Sequence, residues 1–268
     1  MADRLPAAAA SRGRELTEVA PGVLVATAVQ YTTTSTVVRG PGGGCLVADP
    51  AVTVSEVTGL AAAVAALGLR PEAGWATHPH WDHVLWAAEL GDVPRYATAA
   101  AAAVAERERA GLIDGVTESA PGHDLELFGR LTPLAGEVVP WRGPETRVLR
   151  HDGHAPGHGA LYLPASGVLI AGDMLSDLEI PLLACDEPDP VGRYGAGLEL
   201  LASLDGVRVL VPGHGHVADR AEYRRRVRAD LTYLADLERG TGSAGEDERI
   251  GTSWLRAEHD RQFAFLHG

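Results

Sequence analysis

Short apolar runs that end in glycine, proline or aspartate alternate along this chain with longer stretches at helical spacing. Val23 to Ala28 and Ser35 to Arg39 read as strands, the second closed by the turn-rich Gly40-Pro41-Gly42-Gly43-Gly44. Cys45 to Ala48 is another short strand, stopping at Asp49-Pro50. Val54 to Leu69 has helical spacing and good helix formers. Gly74 to Thr77 is a strand that delivers the chain to His78, and a helix is predicted from His83 to Leu90. Ala97 to Ala110 is alanine-rich, ends in alternating Glu and Arg, and predicts a partly exposed helix. Residues 115 to 145 are poorly patterned and predicted to be loop-rich.

The second half repeats the scheme. Strands are predicted at Arg147 to Arg150, Leu161 to Pro164 and Val168 to Ala171, then a loop from Leu175 to Val191 and a helix from Gly192 to Leu204. Val207 to Val211 is the last strand, and it runs into Pro212-Gly213-His214. Long helices are predicted over Ala218 to Glu238 and Ser253 to Leu266, separated by the Gly- and acid-rich linker Gly240 to Glu246. No solenoid repeat is present. Two successive runs of strands followed by helices predict a layered α/β domain with two sheets and outer helices. Residues 15–268 are read as that single domain, and residues 1–14, alanine-rich with scattered charge, as a disordered tail.

Composition narrows the function. The chain has 268 residues, 46% of them hydrophobic, enough to fill a sizeable core. Its formal charge of −13 argues against a general nucleic-acid or anionic-membrane surface. All the basic residues are arginine. With no lysine, Schiff-base chemistry and a P-loop lysine are excluded. Asparagine is absent too, so no asparagine can line an oxyanion site. Cys45 and Cys185 are the only cysteines and read as reduced thiols. Neither a signal-peptide core nor a membrane-length apolar run is seen, so the chain reads as cytoplasmic, with a small-molecule substrate as its partner.

Chemistry concentrates in His78-Pro79-His80-Trp81-Asp82-His83, which packs three imidazoles and a carboxylate into six residues. Such side chains suit a borderline metal such as zinc. Residues two apart in an extended segment face the same side, so His78 and His80 can share one ion. Asp82 and His83 can serve a neighbouring one. Further His and Asp residues sit beside glycine at or near strand ends, in Gly153-His154-Ala155-Pro156-Gly157-His158, Ala171-Gly172-Asp173 and Pro212-Gly213-His214-Gly215-His216. Glycine lets the backbone turn tightly and approach a site closely.

This order of motifs resembles the metallo-β-lactamase superfamily from about Val23 to His216. The resemblance implies an αββα sandwich, two mixed sheets flanked by helices, with metals at one edge. It makes His78 and His80 first-metal ligands, Asp82, His83 and His214 second-metal ligands, and Asp173 the carboxylate between the ions. The third first-metal ligand is His154 or His158. The run from Asp152 to Leu161 is similar to the doubled Pro-Gly-His loop of the lactonase branch, which favours His154. Tyr194 falls where lactonases carry an oxyanion-side tyrosine.

The implied activity is hydrolysis of a small ester, lactone or thioester by a metal-bound hydroxide. Two zinc ions are expected, with iron or manganese as substitutes, and Asp82 would orient the hydroxide and move its proton. Asp49 would fix a ligand histidine from behind or simply cap the next loop. An iron persulfide dioxygenase of the same fold and a non-catalytic metal-binding protein are the alternatives. Bulky Val84-Leu85-Trp86 stands where relatives often have glycine, which predicts an apolar wall beside the metals. Trp81 and Trp86 line a pocket or pack in the core. The cluster Arg220, Arg224, Arg225, Arg226 and Arg228 reads as a solvated helix face, given its acidic neighbours. For the aromatic last helix, a homodimer contact, a lid and core packing stay open.

Overall fold

A computed structural model describes residues 14–268. Seven strands form the first sheet in sequence order: β1 (Thr17–Ala20), β2 (Val23–Thr27), β3 (Thr34–Arg39), β4 (Gly44–Ala48), β5 (Arg70–Trp75), β6 (Arg95–Thr98) and β7 (Thr132–Leu134). The second sheet has the order β12-β11-β10-β9-β8, from β8 (Arg147–His151), β9 (His158–Leu163), β10 (Val168–Gly172), β11 (Val209–Pro212) and β12 (Ala218–Asp219). Both are mixed. β4, β5, β6 and β7 run parallel to one another, as do β10 and β11, and the other pairs are antiparallel.

Among the described residues six α-helices cover the sheets: α1 (Val54–Ala66), α2 (Ala99–Arg107), α3 (Arg109–Ser119), α4 (Pro190–Ala202), α5 (Arg220–Glu238) and α6 (Ser253–His267). Strand alternation explains the layering. In β4, Leu46 and Ala48 face the other sheet, while Cys45 and Val47 pack under α1. In β10, Val168 and Ile170 face inward, and Leu169 and Ala171 pack under the later helices. Both faces of these strands are buried, so they read as continuous apolar runs. The three apolar layers between helices, sheets and helices are the αββα sandwich. Trp75 ties the sheets together by donating its Nε1–H to the Gly159 carbonyl at 2.9 Å. A side chain at Gly159 would strike that indole ring.

Several sequence expectations change. No helix runs from His83 to Leu90; a loop leads instead into a short 3-10 turn at Ala88–Leu90. Val84, Leu85 and Trp86 are three consecutive buried residues, and one helix face cannot bury three in a row. They pack in the core beneath the loop and do not form the cavity wall expected of them. The stretch from 115 to 145 contains the end of α3 and all of β7, and β1 and β6 were also unforeseen. Of the 1–14 tail, only Arg14 lies within the described residues. Its guanidinium is pinned to Ser35 Oγ and to the carbonyls of Ala26, Thr33 and Ala51.

The arginine-rich helix is not uniformly solvated. Arg225 pairs with Glu222 at 2.7 Å, as a surface face would. Arg226 instead is buried, paired with Glu222 and Asp177, and donates to the Leu175 and His216 carbonyls. It thus fastens α5 to the loops after β10 and β11. In α6, Leu255, Phe263 and Leu266 pack on the core, and Trp254 reaches a cavity at the metal-capable residues. Cys45 and Cys185 are both free thiols. Among the described residues no helix is long and apolar enough to cross a membrane.

Candidate metal centre

The metal-capable residues lie at one edge of the sandwich. His78 to His83 follow β5, His154 sits in the turn between β8 and β9, Asp173 follows β10 and His214 follows β11. The sheets meet directly here: the Thr34 amide donates to the Gly213 carbonyl at 2.8 Å, and Thr33 bridges His214. Two groups of ligand-capable atoms result, one from His78, His80, His154 and Asp173, the other from Asp82, His83 and His214. Asp173 lies between them. Its carboxylate is 3.5 Å from His78 Nε2 and His154 Nε2, 3.1 Å from His83 Nε2 and 3.2 Å from His214 Nε2.

The glycines permit this crowding. Gly172 has φ +61°, and a Cβ there would overlap His158 Nε2. A Cβ on Gly213 would overlap Asp173 Oδ1.

Hydrogen bonds behind the centre orient each ring. Asp49 Oδ2 accepts from His83 Nδ1 at 3.0 Å and from Thr77 Oγ1 at 2.7 Å. The Thr77 hydroxyl, donating there, accepts in turn from His78 Nδ1 at 3.0 Å. His154 Nδ1 donates to the Leu182 carbonyl at 3.1 Å, and His214 Nδ1 to the Tyr31 carbonyl at 3.0 Å. Each of these four rings spends its N–H on the outside. Each can then offer its other nitrogen inward as a lone pair to a metal, the usual condition of a metal-binding histidine.

Inward lone pairs repel unless a cation sits among them. Yet His80 Nδ1 lies 3.1 Å from both His78 Nε2 and His154 Nε2, and His83 Nε2 lies 3.4 Å from His214 Nε2. A tetrahedral ion with metal–nitrogen bonds of about 2.0–2.1 Å has edges of about 3.3 Å. The donor set therefore fits a metal of zinc's size and preference. Asp173 Oδ1, buried without a hydrogen-bond donor, fits the same reading.

Electrostatics agree. Burial works against charge on Asp173, but His214, His83 and His78 outweigh it and hold the carboxyl well below its usual range. Burial likewise opposes the His83 and His214 cations. Asp173 and Asp82, with Asp49 also acting on His83, overcome this and lift both well above an ordinary imidazole. Three buried carboxylates thus demand positive charge, from protons or from metal. His154 is pushed down to about 3, first by burial and next by His80, so it stays neutral and ready to ligate.

The seven expected ligands converge, with His154 rather than His158 in the first group. His158 is buried behind His78 with neither ring nitrogen hydrogen-bonded. Asp49 is a positioning residue for His83 and, through Thr77, for His78. Tyr194 is buried within the α4 core and does not line the cavity, so the geometry gives its expected oxyanion-side role no support. His216 turns outward to Asp177 at 2.8 Å. Trp81 lines the cavity, whereas Trp86 packs in the core. Sequence reasoning missed Thr77 and the carbonyls of Tyr31 and Leu182. Thr77 carried one signal, its place before His78; a carbonyl is common to every residue and carries none.

The family model of the Metallo-beta-lactamase superfamily matches residues 29–239. The chain belongs to that superfamily. It is a metallo-hydrolase. A hydroxyacylglutathione hydrolase from Acidiphilium cryptum is 28% identical over 84% of this chain and 86% of its own length. A beta-lactamase domain protein from Burkholderia ambifaria superimposes with a TM-score of 0.71 at 19% identity, over 99% of this chain and 89% of its own. The protein TTHA1623, solved in a di-iron-bound form, gives a TM-score of 0.58 at 27% identity over 75% and 97% of the two chains.

Proposed function

We propose that this enzyme is a dinuclear zinc hydrolase of small thioesters, and of esters or lactones of similar shape. The observation that carries the reading is the pair of convergent ligand groups sharing Asp173, each ring but His80 oriented by a hydrogen bond from behind. His78, His80 and His154 would hold one ion and Asp82, His83 and His214 the other, with Asp173 between them. When bound, the ions supply Lewis acidity and bring the pKa of a water toward neutrality.

The protein's own residues do the rest. Asp82 opens onto the cavity and is held well below its usual range: burial raises it, but His83 and His214 outweigh that. Its carboxylate is placed to orient the attacking water, take its proton and pass it to the leaving group. The apolar side chains Trp81, Leu112, Leu182 and Leu183 flank the centre and keep bulk water from the acyl group. The relative named hydroxyacylglutathione hydrolase supports a thioester.

The di-iron neighbour supports iron as an alternative metal in the same ligands. The persulfide dioxygenase reading needs only one iron on two histidines and a carboxylate, and the complete second group argues against it.

Metal analysis after reconstitution, followed by a panel of thioesters, esters and lactones, tests the proposal. Two equivalents of metal are expected, with turnover that His80→Ala and Asp173→Ala each reduce by about a hundredfold or more. One equivalent at saturation, or no turnover on the panel, would refute it.

A further inference from the structure

The metal centre forms the floor of a cavity of about 820 Å³. Its charged walls are lopsided. Beyond the ligands, five carboxylates face it, from Glu108, Glu179, Asp186, Glu187 and Glu258. Arg261 is the only arginine among the lining residues. That guanidinium is already spent, with Nη2 2.7 Å and Nε 3.0 Å from Glu258 Oε2. Glu187 has Arg193 at 3.5 Å, and Glu108 has Arg107 at 2.7 Å. Glu179 and Asp186 make no ion pair among the described residues.

Glu179 is the deeper of these two. It lies in the loop between β10 and α4, half-buried, and its field acts on His214, Asp173, Asp82 and His83. Its backbone is fixed: the amide donates to Ser176 Oγ at 3.1 Å, and the carbonyl accepts from Arg249 Nη1 at 3.1 Å. Ser176 Oγ itself donates to the His214 carbonyl at 2.8 Å. The point from which the Glu179 side chain enters the cavity is thus fixed relative to His214. Burial pushes its carboxyl up to about 7, opposed by His214 and reinforced by Asp173 and Asp82.

A glutathione conjugate carries two carboxylates and one ammonium, and needs free cations away from the reacting carbonyl. No such cation lines this cavity among the described residues. The whole chain, at −13, also repels anions and draws cations.

Resting on the hydrolase reading above, we propose that the substrate is a thioester or ester with an apolar acyl group and a cationic leaving group, and that Glu179 is the residue that selects the cation. The acyl part would lie along Trp81 and Leu182, and an ammonium would meet Glu179. The balanced reaction is thioester plus water giving a carboxylate, a thiol and one proton; the C–S bond breaks and a C–O bond forms.

Matched butyryl thioesters test this on the zinc-loaded protein, with thiol release as the readout. The thiols are a trimethylammonium ethanethiol, its uncharged tert-butyl isostere, 3-mercaptopropionate and glutathione. The cationic thioester is expected to exceed the isostere in kcat/KM by about tenfold, chiefly through KM, and both anionic ones by more. Glu179→Gln should bring the cation-to-isostere ratio to about one while metal content stays at the wild-type value.

Calorimetric binding of the corresponding inert thioethers to wild type and Glu179→Gln should show the same order, and it reads the preference even without turnover. An anionic or uncharged member preferred by the wild type would overturn the proposal, as would an unchanged ratio in the folded variant. Absence of turnover on all four thioesters, with the cationic thioether still bound best, would instead count against the hydrolase reading alone.

Discussion

Asp49 does more at this site than any residue that touches it from outside. It accepts from His83 Nδ1 and from Thr77 by both hydroxyl and amide. Its own backbone sits at φ +47°, in the left-handed region that a non-glycine residue adopts at a cost. Asp49→Asn keeps the shape but loses the charge that holds the Nδ1–H outward. Zinc affinity measured against a competing chelator is expected to drop about 10–100-fold, with the fold unchanged by circular dichroism. Unchanged affinity would reduce Asp49 to a loop cap. At this scale the sequence was informative about side chains that ligate, because His and Asp beside glycine at strand ends are an uncommon combination. It also offered Asp49 as a residue behind a ligand ring, but was silent on the carbonyls of Leu182 and Tyr31 that turn His154 and His214. The ambiguity between His154 and His158 came from their identical glycine-preceded setting. The geometry groups His154 with His78 and His80, its ring turned by the Leu182 carbonyl from a loop farther along the chain.

Strand ends and the turns that follow them decide how near the ligands can come. At Gly213 the chain leaves β11 with Asp173 Oδ1 where a Cβ would be. Gly213→Ala must therefore displace the shared carboxylate or the strand. A loss of about 1–3 kcal/mol in chemical denaturation is expected, together with loss of metal from the second group. Gly195, inside α4 with open space around it, is the contrasting case. There alanine should stabilise by up to about 1 kcal/mol through helix propensity, seen as a small rise in melting temperature with metal content unchanged. Elements with a strong pattern, such as α1 with its helical spacing and good helix formers, were legible from sequence. The four-residue strands β1 and β6 were not, being too short to show an alternation. The false helix after His83 arose because apolar Val84-Leu85-Trp86 suits several conformations, and only the surrounding core chooses among them.

At the scale of the whole molecule, protons and metal compete for one buried pocket of negative charge. Without metal, His83 and His214 hold protons well above the ordinary imidazole range, because the carboxylates around them outweigh burial. A metal must displace those protons. Its binding therefore strengthens as pH rises and weakens as pH falls, by roughly tenfold per pH unit for each proton displaced. Chelator competition across about pH 6 to 8 should show that slope, and a flat profile would show that the two rings are neutral before metal arrives. Each ligand group also draws on both halves of the chain: His78 and His80 with His154 and Asp173, and Asp82 and His83 with His214. A bound ion would thus be a rivet through two sheets otherwise joined by apolar packing and a few hydrogen bonds, such as Trp75 to Gly159 and Thr34 to Gly213. Loading the centre should slow hydrogen exchange at the far ends of β5, β10 and β11 together. A chelator, on this view, is a mechanical reagent as well as a chemical one: it would open the seam of the sandwich at the edge where the candidate ligands converge.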